Sequence, residues 1–393
     1  MRYPAYAFVV LAILLGVSCR QFTGGTGDQD QQSATNSSAL RTSESDDMAG
    51  YAKVNGPRPM QFPQDHGAHP DYRVEWWYFT GNLATAQGRP FGFELTFFRF
   101  AMAPSQTPRA SDWATRQMWV ANFAISDIKP ERFHFFKRSQ RGALGLAGAQ
   151  IEPVRIWLDN WELRAQSADS LFPARLQAEH GDAGIDLRLT SEKPLVLQGE
   201  AGYSRKSTDP ANASYYYSYT RLRAQGTLTV DGETYQVSGP AWMDREWSTS
   251  ALAENQVGWD WISLQLDDGR DLMLYRLRQR DGSAGPYSAG VLISKAGTPH
   301  DLTVEEFEMT PLRYWRSAAT GVSYPVAWRV QVPSEQLDLK VEARMPNQEL
   351  NLKMRYWEGA VTASGEDVSG VGYLELVGYG SQATGQSGAQ ADE

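Results

Sequence analysis

Three stretches of this 393-residue sequence concentrate side chains able to do chemistry. Glu75-Trp76-Trp77-Tyr78 sets one carboxyl among three aromatic rings. In an extended strand Glu75 and Trp77 share one face, and Trp76 and Tyr78 the other. If the first face points into a barrel, burial beside an indole raises the acid's pKa and suits it to general-acid work. The competing reading is a structural ion pair with Arg73, Arg99 or Arg221. Trp242-Met243-Asp244-Arg245-Glu246-Trp247 holds three charges between two indoles. Buried charges need partners. They therefore form an Asp-Arg-Glu network joining two domains, or they line a ligand cavity. Asp244 and Glu246 share a face if the segment is extended, which is the arrangement of a paired-carboxylate site. Tyr215-Tyr216-Tyr217 and Arg221 can supply donors to the same place, although tyrosines in strands commonly just pack. Asp65, His66 and His69 offer nitrogen and oxygen ligands within a few residues, but not at the spacing of a zinc site. We read them as a capped turn ahead of the first strand, and expect neither metal nor cofactor.

The elements that position these residues are strands. Thirteen Trp and eighteen Tyr sit in short runs broken by Gly, Asp and Pro. Examples are residues 77–83, 91–100, 118–125, 215–222, 226–230, 259–266 and 272–277. Period-two runs of this length read as antiparallel strands, and Asp231-Gly232, Asp268-Gly269 and Asp281-Gly282 are tight-turn signals. One or two short helices are expected, near 248–253 or 304–307. Residues 75–100 and 258–278 share a plan: a Trp-bearing strand, a turn with Gly-Arg, and an apolar return strand. This points to two copies of one β-unit. The expected class is all-β, with two antiparallel barrel or sandwich domains at 51–235 and 236–380.

The N-terminus predicts export. Met1-Arg2, an apolar run from Ala5 to Val17, and Ser18-Cys19 make a signal peptide too short to span a bilayer. The chain's single cysteine falls at the cleavage point, as in a bacterial lipoprotein. Residues 1–19 are thus read as a lipoprotein signal and Cys19 as the acylated residue. Residues 20–50 are read as a flexible tether and 381–393 as a disordered tail. These readings place the body on the periplasmic side of the cell envelope, anchored to a membrane. A formal net charge of −9 argues against nucleic acid as a partner. The sequence contains neither a Gly-Xaa-Ser-Xaa-Gly elbow nor a P-loop.

Residues 63–73, continuing through Glu75-Trp76-Trp77-Tyr78 to Gly81-Asn82-Leu83, resemble the opening motif of the AttH-like, carotenoid 1,2-hydratase-related family. Residues 139–148, 212–218, 241–251, 258–278 and Tyr356-Trp357-Glu358-Gly359-Ala360 also resemble that family. The resemblance spans about residues 51–380. It implies two lipocalin-like (calycin) domains, apolar or lipid-like ligands, and, for AttH-like members, association with an ABC transporter permease. The hydratase branch adds water to a double bond, which needs an acid and a pocket sheltering a cation. Only Asp244, Trp247 and Tyr275 match the hydratase pattern at its own motifs.

The leading expectation is a lipid-anchored protein binding a lipid or isoprenoid-like molecule. Trp77, Tyr78, Tyr217, Arg221, Arg245, Trp247 and Tyr275 are its expected lining. The alternatives are a hydratase-like or hydrolase-like enzyme with Glu75, Asp244 or Glu246 as acid, and a structural β-module for a protein partner. A cavity above about 300 Å³ would favour binding. A carboxyl facing it without an arginine partner would favour catalysis. A filled interior with every acid paired would favour the module.

Overall fold

The computed structural model describes residues 48–380, apart from 106–109, 250–251, 254, 351 and 353–354. Cys19 and the segments read from sequence as signal peptide, most of the tether and the tail lie outside the described residues. Thirteen strands form the first sheet. In chain order they begin with β1 Val74–Ala84, β2 Pro90–Ala101, β3 Gln117–Asp127, β4 Arg132–Arg141, β5 Ala147–Ile151, β6 Val154–Leu158 and β7 Trp161–Ala165. They continue with β8 Ala174–His180, β9 Ala183–Ser191, β10 Val196–Leu197, β11 Tyr203–Arg205, β12 Ala213–Val230 and β13 Glu233–Ser248. The main path runs β4-β3-β2-β1-β13-β12-β9-β8-β7-β6-β5, with β10 and β11 paired to β12. The second, ten-stranded sheet holds β14 Gln256–Leu266, β15 Asp271–Gln279, β16 Ala289–Ile293, β17 Pro299–Thr303 and β18 Glu308–Arg316. It is completed by β19 Ser323–Val332, β20 Leu337–Ala343, β21 Glu349–Leu350, β22 Tyr356–Ser364 and β23 Ser369–Val377. Its order is β17-β16-β15-β14-β23-β22-β20-β19-β18, with β21 on β22. Both sheets are antiparallel and curl on themselves, giving two lipocalin-like domains.

The expected helices are absent among the described residues. Ser248 ends β13, and residues 304–307 form a turn whose Glu306 carboxylate accepts the Thr303 N–H at 2.8 Å. The expected change of domain at 235/236 falls within β13. That strand pairs with β1 and β12, so the chain leaves the first sheet only after Ser248. Asp231 and Gly232, both at positive φ, make the two-residue β12–β13 connection that their sequence predicts. The strands expected at 215–222 and 226–230 are one strand, β12, with a register shift between Tyr219 and Leu222. The two similar hairpins are β1–β2 and β14–β15, each internal to its sheet.

Among the described residues five apolar clusters result, of which three are large. Trp77, Phe79, Phe93, Leu95, Phe97 and Trp247 belong to the interior of the first domain. Ile262, Leu274, Trp328, Val341, Trp357 and Leu374 belong to that of the second. The third joins Tyr78, Tyr216 and Trp242 to Trp261, Tyr275 and Tyr373, where the outer faces of the two sheets meet. Gly92 permits that approach: a Cβ there would lie 2.8 Å from the Ala360 Cβ on β22. Polar contacts also cross the seam. Asn82 donates to the Gly372 carbonyl at 2.8 Å, and Ser126 donates to the Gln348 side-chain oxygen at 2.6 Å. Asp271 on β15 is bound by Lys193, Thr220 and Arg221 of the first domain.

Candidate active site

Strand alternation divides the two aromatic segments between two environments. On β1, Trp77 and Phe79 point into the first domain, whereas Trp76 and Tyr78 point across the seam. The ladder aligns the seam-facing positions of neighbouring strands: Trp76 opposite Glu246 and Phe98, Tyr78 opposite Asp244 and Thr96, Tyr216 opposite Glu246. The second sheet closes the space with Trp259 and Trp261 from β14, Tyr275 from β15, Tyr356 and Glu358 from β22, and Glu375 from β23. Between them lies a cavity of about 120 Å³, room for several waters or one small organic group. It lies between the sheets and outside both barrels. It is smaller than the threshold expected for a lipid carrier.

Glu75 is not its acid. The side chain is fully buried inside the first domain, where Arg99 and Arg245 both pair with it. The His69 backbone N–H donates to its carboxylate oxygens at 3.0 Å. Burial alone would raise this acid, but the two guanidinium charges outweigh burial and hold it well below the ordinary carboxylate range. The structural ion pair is therefore the correct reading. Arg99 is one partner, as expected, and Arg245 is the unexpected one. Arg245 also lies with its guanidinium carbon 3.9 Å from the Trp77 ring centroid and donates to the Gly67 carbonyl at 2.6 Å. The network binds the segment before β1 to the domain core. His69 stacks on Trp247 at 4.0 Å and meets Asp65 at 3.0 Å. His66 Nδ1 lies 2.6 Å from the Tyr217 hydroxyl, and burial, with Arg245 nearby, lowers His66 to about 4.

Trp77, Tyr217, Arg245 and Trp247 are thus barrel-interior residues, not cavity lining, because all occupy the inward positions of their strands. Arg221 is likewise removed from the cavity: its guanidinium clamps Asp271 at 2.6 Å. Tyr78, Asp244, Glu246 and Tyr275 do line the cavity, so the proposed same-face pairing of Asp244 with Glu246 exists in the fold.

Asp244 accepts hydrogen bonds from Ser218 at 2.5 Å, Trp242 at 2.7 Å and Tyr216 at 2.8 Å. Burial nevertheless pushes it up to about 7, with the charge of Glu246 adding to the push. Glu246 accepts from Ser214 and meets Lys206 Nζ at 3.4 Å. Two lining acids were not anticipated from the sequence, Glu358 and Glu375; a third, Glu94, lies close by. Burial raises Glu375, aided by Asp244 and Glu246, against a hydrogen bond donated by Trp259 at 3.1 Å. Burial also raises Glu94 and Glu358, and each is raised further by neighbouring carboxyls. Among the described residues none of the cavity's four lining carboxyls faces an arginine. Burial therefore favours the protonated forms of Glu358 and Glu375 and holds Asp244 near 7, so these three can donate as well as accept a proton.

A pair of lipocalin-like domains with an acid-lined aromatic cavity at their seam defines the class of protein. The family model described as AttH-like matches residues 53–379, and the chain belongs to that family. The crystal structure of an AttH protein from Nitrosomonas europaea is similar at 36% identity and a TM-score of 0.73, covering 84% of this chain and 99% of that one. Kievitone hydratase from Nectria haematococca shares the fold at 17% identity and a TM-score of 0.60, covering 84% and 98%. The dehydratase asqC of Emericella nidulans is 26% identical over 273 residues, 66% of this chain and 76% of its own length.

Proposed function

We propose that the protein is a hydro-lyase that removes water from, or adds it to, a small hydrophobic molecule in the seam cavity. The observation that carries this reading is the set of buried carboxyls facing aromatic walls with no arginine among the described lining residues. Glu375 is the acid: kept neutral by burial, it protonates the departing hydroxyl as the C–O bond breaks. Asp244, poised near 7, takes the proton from the adjacent carbon, whose C–H electrons form the double bond. Hydration is the reverse: Asp244 delivers its proton to the alkene carbon and the Glu375 carboxylate takes one from the attacking water. Positive charge developing at carbon is sheltered by the faces of Trp76, Trp259 and Trp261. The similarity to a dehydratase supports this reading. A lipid carrier has weaker support, since about 120 Å³ is small for an acyl chain. We place the activity at the cell envelope on the strength of residues 1–19.

The test is water exchange. The protein is incubated in ¹⁸O-labelled water with a panel of tertiary and allylic alcohols bearing apolar substituents, and label incorporation is read by mass spectrometry. Exchange that falls about a hundredfold in Glu375→Gln and in Asp244→Asn is expected. No exchange with any alcohol, or exchange at the wild-type rate in both variants, refutes the assignment.

A further inference from the structure

Acid–base chemistry on a neutral alkene needs two carboxyls and an apolar wall. This cavity contains more than that. Asp244, Glu246, Glu358 and Glu375 all line it, and Lys206 is the one cationic side chain among its described lining residues. Lys206 is already committed. Its ammonium lies 3.4 Å from Glu246 and 4.4 Å from the Tyr275 ring centroid, with the Tyr216 ring at 5.5 Å. One ammonium is therefore already held in this cavity by a carboxylate and aromatic faces.

A second place of the same kind is unfilled. Glu358 is 3% exposed and its Oε2 has no hydrogen-bond partner. Tyr78, 5% exposed and on the opposite sheet, has a hydroxyl without a partner. Buried polar atoms are expensive to leave unsatisfied, and a hydrocarbon ligand would leave both as they are. Trp76, Trp259 and Tyr356 bound the same space. Indole and phenol faces favour large, weakly hydrated organic cations, whereas hard inorganic cations require oxygen ligands throughout.

We propose that the cavity recognises a substrate carrying an ammonium group on an apolar frame, the cation held by Glu358 with its neighbouring carboxyls and by the aromatic faces around them. The inference takes the site from the hydro-lyase reading and adds the class of substrate. A cation bound there stabilises the ionised form of carboxyls that are otherwise protonated, so binding expels protons to solvent.

Choline and its neutral isostere 3,3-dimethylbutan-1-ol test this in the full chain. Choline has a fixed charge, so any proton released comes from the protein. Titration calorimetry near neutral pH in phosphate and in HEPES, a bulky zwitterion, which differ in ionisation enthalpy, reads both affinity and protons released. Choline is expected to bind at least about tenfold more tightly than the alcohol, releasing up to one proton. Glu358→Gln should remove most of that preference while retaining the alcohol's affinity. Equal affinity of the wild type for the two probes, no binding of either at millimolar concentration, or choline binding without proton release would overturn the proposal. The wild-type comparison stands even if the variant does not fold. Because binding is read without turnover, failure of the water-exchange test leaves this result intact, and the reverse also holds.

Discussion

Replacing Asp244 with Asn isolates the proton that the cavity keeps on this residue. The amide is nearly isosteric. Its oxygen still accepts from Ser218 and Trp242, and the Tyr216 hydroxyl, which also receives the Trp261 indole N–H at 3.3 Å, can turn to accept from the new NH₂. In the unfolded chain Asp244 ionises from its ordinary 3.8, whereas in the folded protein it keeps its proton up to about 7. Between those values the folded state binds more protons. Stability is therefore fully present below the lower value and is lost as pH rises through the upper one. The window of about three units, at ~1.4 kcal/mol per unit, sets an upper bound of ~4 kcal/mol on this residue's contribution. Urea unfolding followed by tryptophan fluorescence, at pH values from about 4 to about 8, gives the slope for wild type and variant. The wild-type curve should fall more steeply by up to ~1.4 kcal/mol per unit. Parallel curves would show that Asp244 ionises in the folded protein as freely as in water, and the acid–base assignment would go with them.

Two further outcomes test the fold around the site. Glu75→Gln leaves the buried Arg99 and Arg245 without a countercharge and should cost ~3–5 kcal/mol in urea unfolding; a loss below about 1 kcal/mol would contradict the buried network. Gly92→Val pushes a side chain into Ala360 across the seam. It should lower Tm by several degrees and weaken choline binding, while an unchanged Tm would show that the sheets are not in close contact there.

Period-two patterning made much of this legible. It separated Glu75 from Trp76, paired Asp244 with Glu246, and predicted the hairpin at Asp231-Gly232. It could not say which face of a strand was the inside of the barrel, because both faces of β1 and β13 carry large aromatics. Trp77 and Trp247 were therefore assigned to the cavity when they belong to the core. Glu358 and Glu375 had a visible signal, a lone acid interrupting Tyr356-Trp357 and Gly359-Ala360 in one case and Leu374 and Leu376 in the other. A charge so placed in a strand must be paired or protonated. Their convergence with Asp244 depends on two sheets meeting, which no local pattern contains. The five-residue strands between 147 and 165 do alternate, as in Trp161-Glu162-Leu163-Arg164-Ala165, but each offers only two or three inward apolar positions, a weak signal beside the longer aromatic runs.

The alternation of β1, β2, β12 and β13 also has an evolutionary meaning. On these strands alternate residues point into the core of the first domain and the intervening ones face the seam cavity, so core and cavity lining are written in interleaved positions. Substitutions at 76, 78, 98, 244 and 246 can reshape the cavity while the neighbours at 75, 77, 97, 99 and 245 keep the barrel intact. A single-residue insertion in β1 would exchange the two sets and destroy both. Families built this way should diversify by replacement and tolerate length changes only in their loops, and a combinatorial library restricted to the outward positions should retain folded members at high frequency.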